Sequence, residues 1–276
     1  PANVDCLTAA RIDACALANN HVLDWGRAGL LDTLRVLHQA GLHTAGAGTD
    51  GDEAWAPAVL PLGAFGRLLL YSFATRGSGV PAGWAAGPRR AGVALLPDLA
   101  EATAAQLAED VARRRQSNGL VVISIHWGEN WGLQVPAEHR AFAHRLIDLG
   151  AADVVHGHSS HHPMPVEVYR GKLILYGCGD LINDYEGIGS HGSLRSDVGC
   201  LYFATLAAGD HGHAAAGHLL RLDIVPLQMK RFRLTRADPS ARAWLERVFN
   251  VGNCRLGAPL NERLPGSWSL RCEQTG

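Results

Sequence analysis

Three stretches of this sequence place metal-capable or proton-carrying side chains between an apolar run and a glycine. In the first, Ala16-Leu17-Ala18 leads to Asn19-Asn20-His21, and Val22-Leu23-Asp24-Trp25-Gly26 follows. In the second, Val121-Val122-Ile123-Ser124-Ile125 ends in His126-Trp127-Gly128. In the third, Val154-Val155 leads into His156-Gly157-His158-Ser159-Ser160-His161-His162. Imidazole nitrogens and amide oxygens are competent ligands for borderline divalent ions such as Zn, Mn and Fe. A hydrolytic metal site needs several fixed ligands and an open position for water. In α/β sheets the C-terminal ends of strands gather on one edge, and ligands bind there. The shared context predicts that Asn20, His126, His158 and His161 converge as metal ligands. His21 and Asp24 are then the candidate catalytic residues, since proton transfer needs an imidazole that is not on the metal. Trp127, Glu129 and His162 are candidates for the pocket around them, with Trp131 beside Trp127 on its wall. Each motif has a plainer reading: a turn or cap at Asn19-Asn20, a hydrogen-bonded strand-end histidine, a turn at Asp24-Trp25-Gly26, ordinary packing of the tryptophans. Their joint occurrence in one strand-end context is what points to a site.

The elements that must position these residues alternate along the chain. Residues 30–40 read as a helix, with Leu30, Leu34 and Leu37 on one face and Gly41 as its stop. Residues 98–116 read as a second, with Asp98 and Glu101 spaced as a capping box. Residues 136–149 read as a third, carrying a Phe142, Leu146 and Leu149 stripe and ended by Gly150. The run 120–125 reads as a strand buried on both faces, and 153–155 as a short strand before the histidines. Residues 166–169 and 173–176 flank Arg170-Gly171 as a hairpin, and 200–206 with 219–225 make another. Asp238 caps a late helix with Pro239 at its first position. One α/β domain is the economical organisation.

Composition narrows the classes. The chain has 276 residues, 47% hydrophobic and 18% charged, enough for a sizeable core. Its formal net charge of -1 argues against a general nucleic-acid footprint and against a polybasic membrane anchor. No apolar run approaches the roughly 18 residues of a membrane helix, and no basic-then-apolar signal peptide opens the chain. The six cysteines show no paired metal spacing. They read as buried free thiols, which weakly favours a reducing, cytoplasmic compartment.

These motifs carry a resemblance. The run ANNHVLDWGRAGLLDTLRVLHQAGLHTAGAG, then SIHWGENW, then PAEHRAFAHRLIDLGAADVVHGHSSHHPMPVEVYRGKLILYGCGDLINDYEGI resembles, in order, the CapA family of poly-γ-glutamate capsule biosynthesis proteins. That family is similar to the calcineurin-like metallophosphoesterases. The resemblance implies an α/β, metallophosphatase-like four-layer αββα sandwich over 1–235, with 236–276 as a C-terminal helix and extension packed on the same domain. It matches Asn20 to the metal-binding Asn of an Asn-His motif and His21 to the His that meets the leaving group. It matches His126, His158 and His161 to metal ligands, and it places Asp180 in a family-specific turn beside the pocket. The family's opening strand, ending in Gly-Asp, does not precede Pro1, so the resemblance implies a fold that is N-terminally incomplete, with metal-bridging carboxylates outside this sequence. It implies two divalent ions (Mn, Fe or Zn) and an anionic polymer or phosphorylated small molecule as substrate. The implied function is a metal-dependent hydrolase of a phosphoester or amide-type polymer bond. The alternative is a non-catalytic accessory protein that binds an anionic capsule polymer during synthesis or export. Envelope association through a segment outside this sequence is compatible with either.

Overall fold

The computed structural model describes residues 2–63, 66–115, 119–183, 192–207, 216–251, 254–258, 264 and 266–272. The fold is mixed α/β, and the chain divides into two compact units: residues 1–128 with 149–152, and residues 129–148 with 153–276.

The first unit runs α1 (Asp5–Ala9), β1 (Ala14–Ala16), α2 (Gly26–Gln39), β2 (His43–Ala45), β3 (Ala47–Gly48), α3 (Gly51–Trp55), β4 (Ala58–Pro61), β5 (Arg67–Ala74), β6 (Gly92–Val93), α4 (Glu101–Arg114) and β7 (Leu120–His126). β1 pairs in parallel with β2, and Leu17 continues that ladder by donating its amide to the Ala45 carbonyl at 2.8 Å. β5 lies between β4, antiparallel, and β7, parallel, with Ala74 in register with His126. β7 is buried along most of its length, as its continuous apolar run predicts. α2 buries Leu30, Leu34 and Leu37, and Gly41 follows its last turn at φ +78°. It starts four residues earlier than the sequence suggests, directly after the turn at Asp24-Trp25. Before α4, the Asp98 carboxylate accepts from the Ala100 amide at 3.0 Å and the Thr103 hydroxyl at 2.5 Å. The helix begins at Glu101, with no side-chain cap at Ala100.

The second unit runs α5 (Ala137–Asp148), β8 (Val154–His158), β9 (Val166–Tyr169), β10 (Lys172–Leu175), β11 (Val198–Leu206), β12 (Leu219–Lys230), β13 (Arg233–Arg236), α6 (Pro239–Phe249), β14 (Cys254–Gly257) and β15 (Trp268–Cys272). β10 pairs in parallel with β8 and antiparallel with β9, across the Arg170-Gly171 turn. β11, β12, β15 and β14 form an antiparallel sheet in that order, and β13 folds back on β12. Asp238 caps α6 by accepting from the Ala241 amide at 2.9 Å, with Pro239 beginning the helix. α5 buries His139, Phe142, Ala143, Leu146 and Ile147.

Two expectations are corrected here. β8 does not stop before the histidines but runs through His158. In an extended chain residues two apart share a face, and the rings of His156 and His158 lie 5.6 Å apart. The cysteines are not all free. Cys254 and Cys272 are directly opposite on β14 and β15 and form a disulfide. Their 18-residue separation carries no motif, because strand pairing and not local spacing brings them together. Cysteine usage therefore no longer favours a reducing compartment. Cys6, exposed, also departs from the buried-thiol reading, whereas Cys200 fits it.

Candidate functional site

In the first unit, the chain leaves β1 and turns at Asn19. The Asn19 side-chain oxygen accepts from the amides of His21 and Val22, both at 2.9 Å, so the sequence-level alternative of a turn applies to Asn19 itself. That turn presents His21 at the surface. The His21 ring donates from Nδ1 to Asp24 Oδ2 at 2.8 Å, and both side chains are about half exposed. Asn20, next to them, is half-buried. His126, at the end of β7, is 6% exposed. Its carbonyl accepts from the Thr75 amide and from the Ser78 hydroxyl, each at 2.9 Å. The turn that grips His126 also backs Asn20. Gly79, at φ +81°, lies so close that a Cβ there would sit 3.4 Å from Asn20 Nδ2. Thr75, Ser78 and Gly79 thus support both motif residues, and no spacing rule in the sequence marks them. Trp127, which follows β7, is 3% exposed.

In the second unit, the backbone after His158 turns at Ser159, whose φ of +124° is unusual for any residue with a Cβ. Strain of that kind is held only where the surroundings fix it. The chain returning after β10 packs against the residues that follow Ser159. Gly177 and Gly179 lie flush against residues 160–163, where a Cβ at Gly177 would collide with Ser160 and one at Gly179 with Pro163. The Met164 amide donates to the Gly177 carbonyl at 2.9 Å, and Pro163 bridges to Cys178. This close approach delivers Asp180 to His161: Nδ1 of His161 donates to Asp180 Oδ2 at 2.9 Å. Asn183 donates to the same oxygen at 2.5 Å, a contact the sequence reading missed. The remainder of that motif, from residue 184 on, lies outside the described residues.

Trp131 covers the pair, its ring 5.4 Å from that of His161 and 6.1 Å from that of His162. His162 is fully buried. It donates from Nδ1 to the Pro163 carbonyl at 3.0 Å and accepts at Nε2 from the Gly132 amide at 3.1 Å. Both nitrogens are spent on main chain, and burial pushes the imidazole below its ordinary pKa. His162 therefore fixes the 130–132 segment. Glu129 is exposed. His156 is pushed down to about 4 by burial.

A family model described as bacterial capsule synthesis protein PGA_cap matches residues 1–185. The chain belongs to that family. Every candidate residue from Asn20 to Asp180 lies within the PGA_cap match, and β11 onwards lies beyond it. A probable polyglutamine synthesis accessory protein of Mycobacterium tuberculosis is 45% identical over 258 residues, 93% of this chain and 66% of that protein. The capsule biosynthesis protein CapA of Bacillus anthracis is 27% identical over 176 residues, covering 61% of this chain and 39% of its own length. The PGA biosynthesis protein CapA of Bacillus subtilis is 28% identical over 167 residues, covering 60% and 41%. The chain thus spans two thirds or less of the length of these PGA_cap relatives.

Among the described residues, no three His, Cys, Asp or Glu side chains are grouped as a metal ion held by them alone would require. By donor chemistry the asparagine amide and the three histidines remain competent ligands for the expected ions. Asp180 holds Nδ1 of His161 and so fixes one tautomer of that ring.

Proposed function

We propose that this chain serves the synthesis of a capsule polymer of the poly-γ-glutamate type, as a metal-dependent hydrolase of an amide-type or phosphoester bond. The names of the relatives connect the family with capsule and polymer synthesis, and the site chemistry supports hydrolysis. One observation carries the reaction class: the His21–Asp24 pair, an exposed imidazole held 2.8 Å from a carboxylate on a turn built by Asn19. Asp24 holds Nδ1 of a half-exposed ring, so that Nε2 would exchange a proton with the leaving group of a bound substrate. Asn20 and His126 of the first unit, and His158 and His161 of the second, are in this proposal ligands for divalent ions (Mn, Fe or Zn), with Asp180, itself held by Asn183, orienting His161. When bound, such ions supply an activated water.

The test is turnover of poly-γ-glutamate and of bis-p-nitrophenyl phosphate by the full-length protein with added Mn²⁺, compared with His21→Ala. Hydrolysis that falls on substitution while Mn²⁺ binding persists supports the reading. Polymer binding with no hydrolysis under any metal overturns it in favour of a non-catalytic accessory role.

A further inference from the structure

The hairpin that joins β12 to β13 breaks three local rules at once. Lys230 pairs directly with Arg233, so the connection is the two residues Arg231 and Phe232. Both adopt left-handed backbone, at φ +53° and +57°. A two-residue turn of this kind asks for Asn-Gly or a similar pair, because only small or side-chain-bonding residues tolerate that region well. Here it holds two of the bulkiest side chains. The closing pair is also unfavourable, since Lys230 and Arg233 are like charges placed side by side across the ladder. Lys230 is partly balanced by Asp238 at 3.0 Å. Phe232, at the tip, is 61% exposed. Around it, the sequence Lys230-Arg231-Phe232-Arg233-Leu234-Thr235-Arg236 holds four cations and no acid, and all four are exposed. The chain's net charge of -1 conceals this local excess.

A fold that keeps an adverse turn, a repulsive pair and an exposed aromatic at one point points to a function there. We propose that this hairpin docks on an anionic lipid bilayer. Phosphate headgroups would meet Arg231, Arg233 and Arg236, with Lys230 shared with Asp238, and the Phe232 ring would enter the boundary between headgroups and acyl chains. The ring decides between partners: a soluble carboxylate polymer would answer the four cations but leaves the aromatic at the tip unexplained. Four charges and one ring give weak, reversible attachment, and no helix of the described residues is long and apolar enough to cross a membrane. The inference does not depend on the proposed hydrolytic reaction.

The experiment is co-sedimentation of the whole chain with vesicles of phosphatidylglycerol and phosphatidylcholine across a salt series, with soluble poly-γ-glutamate as a separate titrant. Binding should require phosphatidylglycerol, fall with salt and weaken about fivefold for each of Arg231, Arg233 and Arg236 replaced by a neutral residue. Phe232→Ser should weaken vesicle binding. The double variant Arg231→Asn/Phe232→Gly should raise the melting temperature by repairing the turn and still lose vesicle binding, which separates docking from folding. No binding at low salt, or binding indifferent to all these substitutions, overturns the proposal. Polymer capture by the hairpin without vesicle binding overturns it too, and makes the hairpin a polymer site.

Discussion

His161 donates from Nδ1 to Asp180 Oδ2 at 2.9 Å, although 19 residues separate them. The carboxylate holds one tautomer and one ring orientation of His161. Carboxylates behind ligating histidines typically contribute 10- to 100-fold to metal affinity. If His161 ligates metal as proposed, Asp180→Ala should weaken Mn²⁺ binding by about one to two orders of magnitude while the melting temperature moves little. Isothermal titration with Mn²⁺ measures the first and a thermal melt the second. Unchanged affinity would remove Asp180 from the site.

The His21–Asp24 pair should behave in the opposite way. Both side chains are about half exposed, so their interaction adds little to folding. Asp24→Asn and His21→Ala are expected to leave the melting temperature within about 1 °C. If His21 transfers a proton, His21→Ala should cost roughly 10²- to 10⁴-fold in turnover, with Mn²⁺ binding retained. Loss of metal binding in His21→Ala would make the residue a ligand instead.

How much of this was legible in the sequence follows from which forces act locally. The helix around Leu30, Leu34 and Leu37, the buried run of β7 and the Arg170-Gly171 hairpin were readable because periodicity and turn chemistry are local signals. The candidate residues were readable as types in strand-end contexts. Their supports were not. Ser78 and Gly79 reach His126 and Asn20 from a turn some 48 and 59 residues away in sequence. Gly177 and Gly179 matter because they let one loop lie flush on another, and a glycine in sequence does not say what it approaches. The Cys254–Cys272 bond was invisible for the same reason, as a product of strand register. The Thr103 hydroxyl and the Ala100 amide, both on the Asp98 carboxylate, were not marked by the capping spacing.

The buried His139 sets part of the acid limit of stability. It lies on α5 at 6% exposure, and burial holds its imidazole below the ordinary value, partly opposed by Glu138. In the unfolded chain the same group takes a proton near pH 6.5. Its folded pKa is the lower of the two, so its contribution is fully present above about pH 6.5 and is lost as pH falls toward the folded value. Melting temperature should therefore drop between pH 7 and pH 5, and His139→Leu should flatten that part of the curve. An unchanged slope in the variant would assign the acid sensitivity to other groups.

The disulfide gives a counting test. The sequence has six cysteines, and four are free in the structure: Cys6, Cys15, Cys178 and Cys200. Thiol titration of the denatured, unreduced protein should find four groups, and titration after reduction six. Closing a loop of this length restricts the unfolded chain by about 3 kcal/mol. Cys254→Ser/Cys272→Ser should lower stability by up to that amount in a denaturant titration. Six reactive thiols without reduction would rule the bond out.

Lys172, one of two lysines in the chain, makes a nearly buried ion pair with Asp153, at 2.5 Å with side-chain exposures of 15% and 1%. Its ammonium also donates to the Ala216 carbonyl at 2.5 Å, tying the segment before β12 to β10. Gly217 packs against the same carboxylate, in a left-handed conformation at φ +74° that leaves no room for a Cβ. Removing one partner of such a pair strands a charge in a poor solvent, at a typical cost of 3–5 kcal/mol. Lys172→Met should therefore destabilise the protein by about that much, since it removes the ammonium paired with the nearly buried Asp153 carboxylate. Asp153→Asn combined with Lys172→Met removes both charges and should recover a substantial part of the loss. The measurement is a double-mutant cycle by urea denaturation at pH 7. Single and double variants that lose the same stability would mean that the cost lies in packing around β10 and not in the stranded charge.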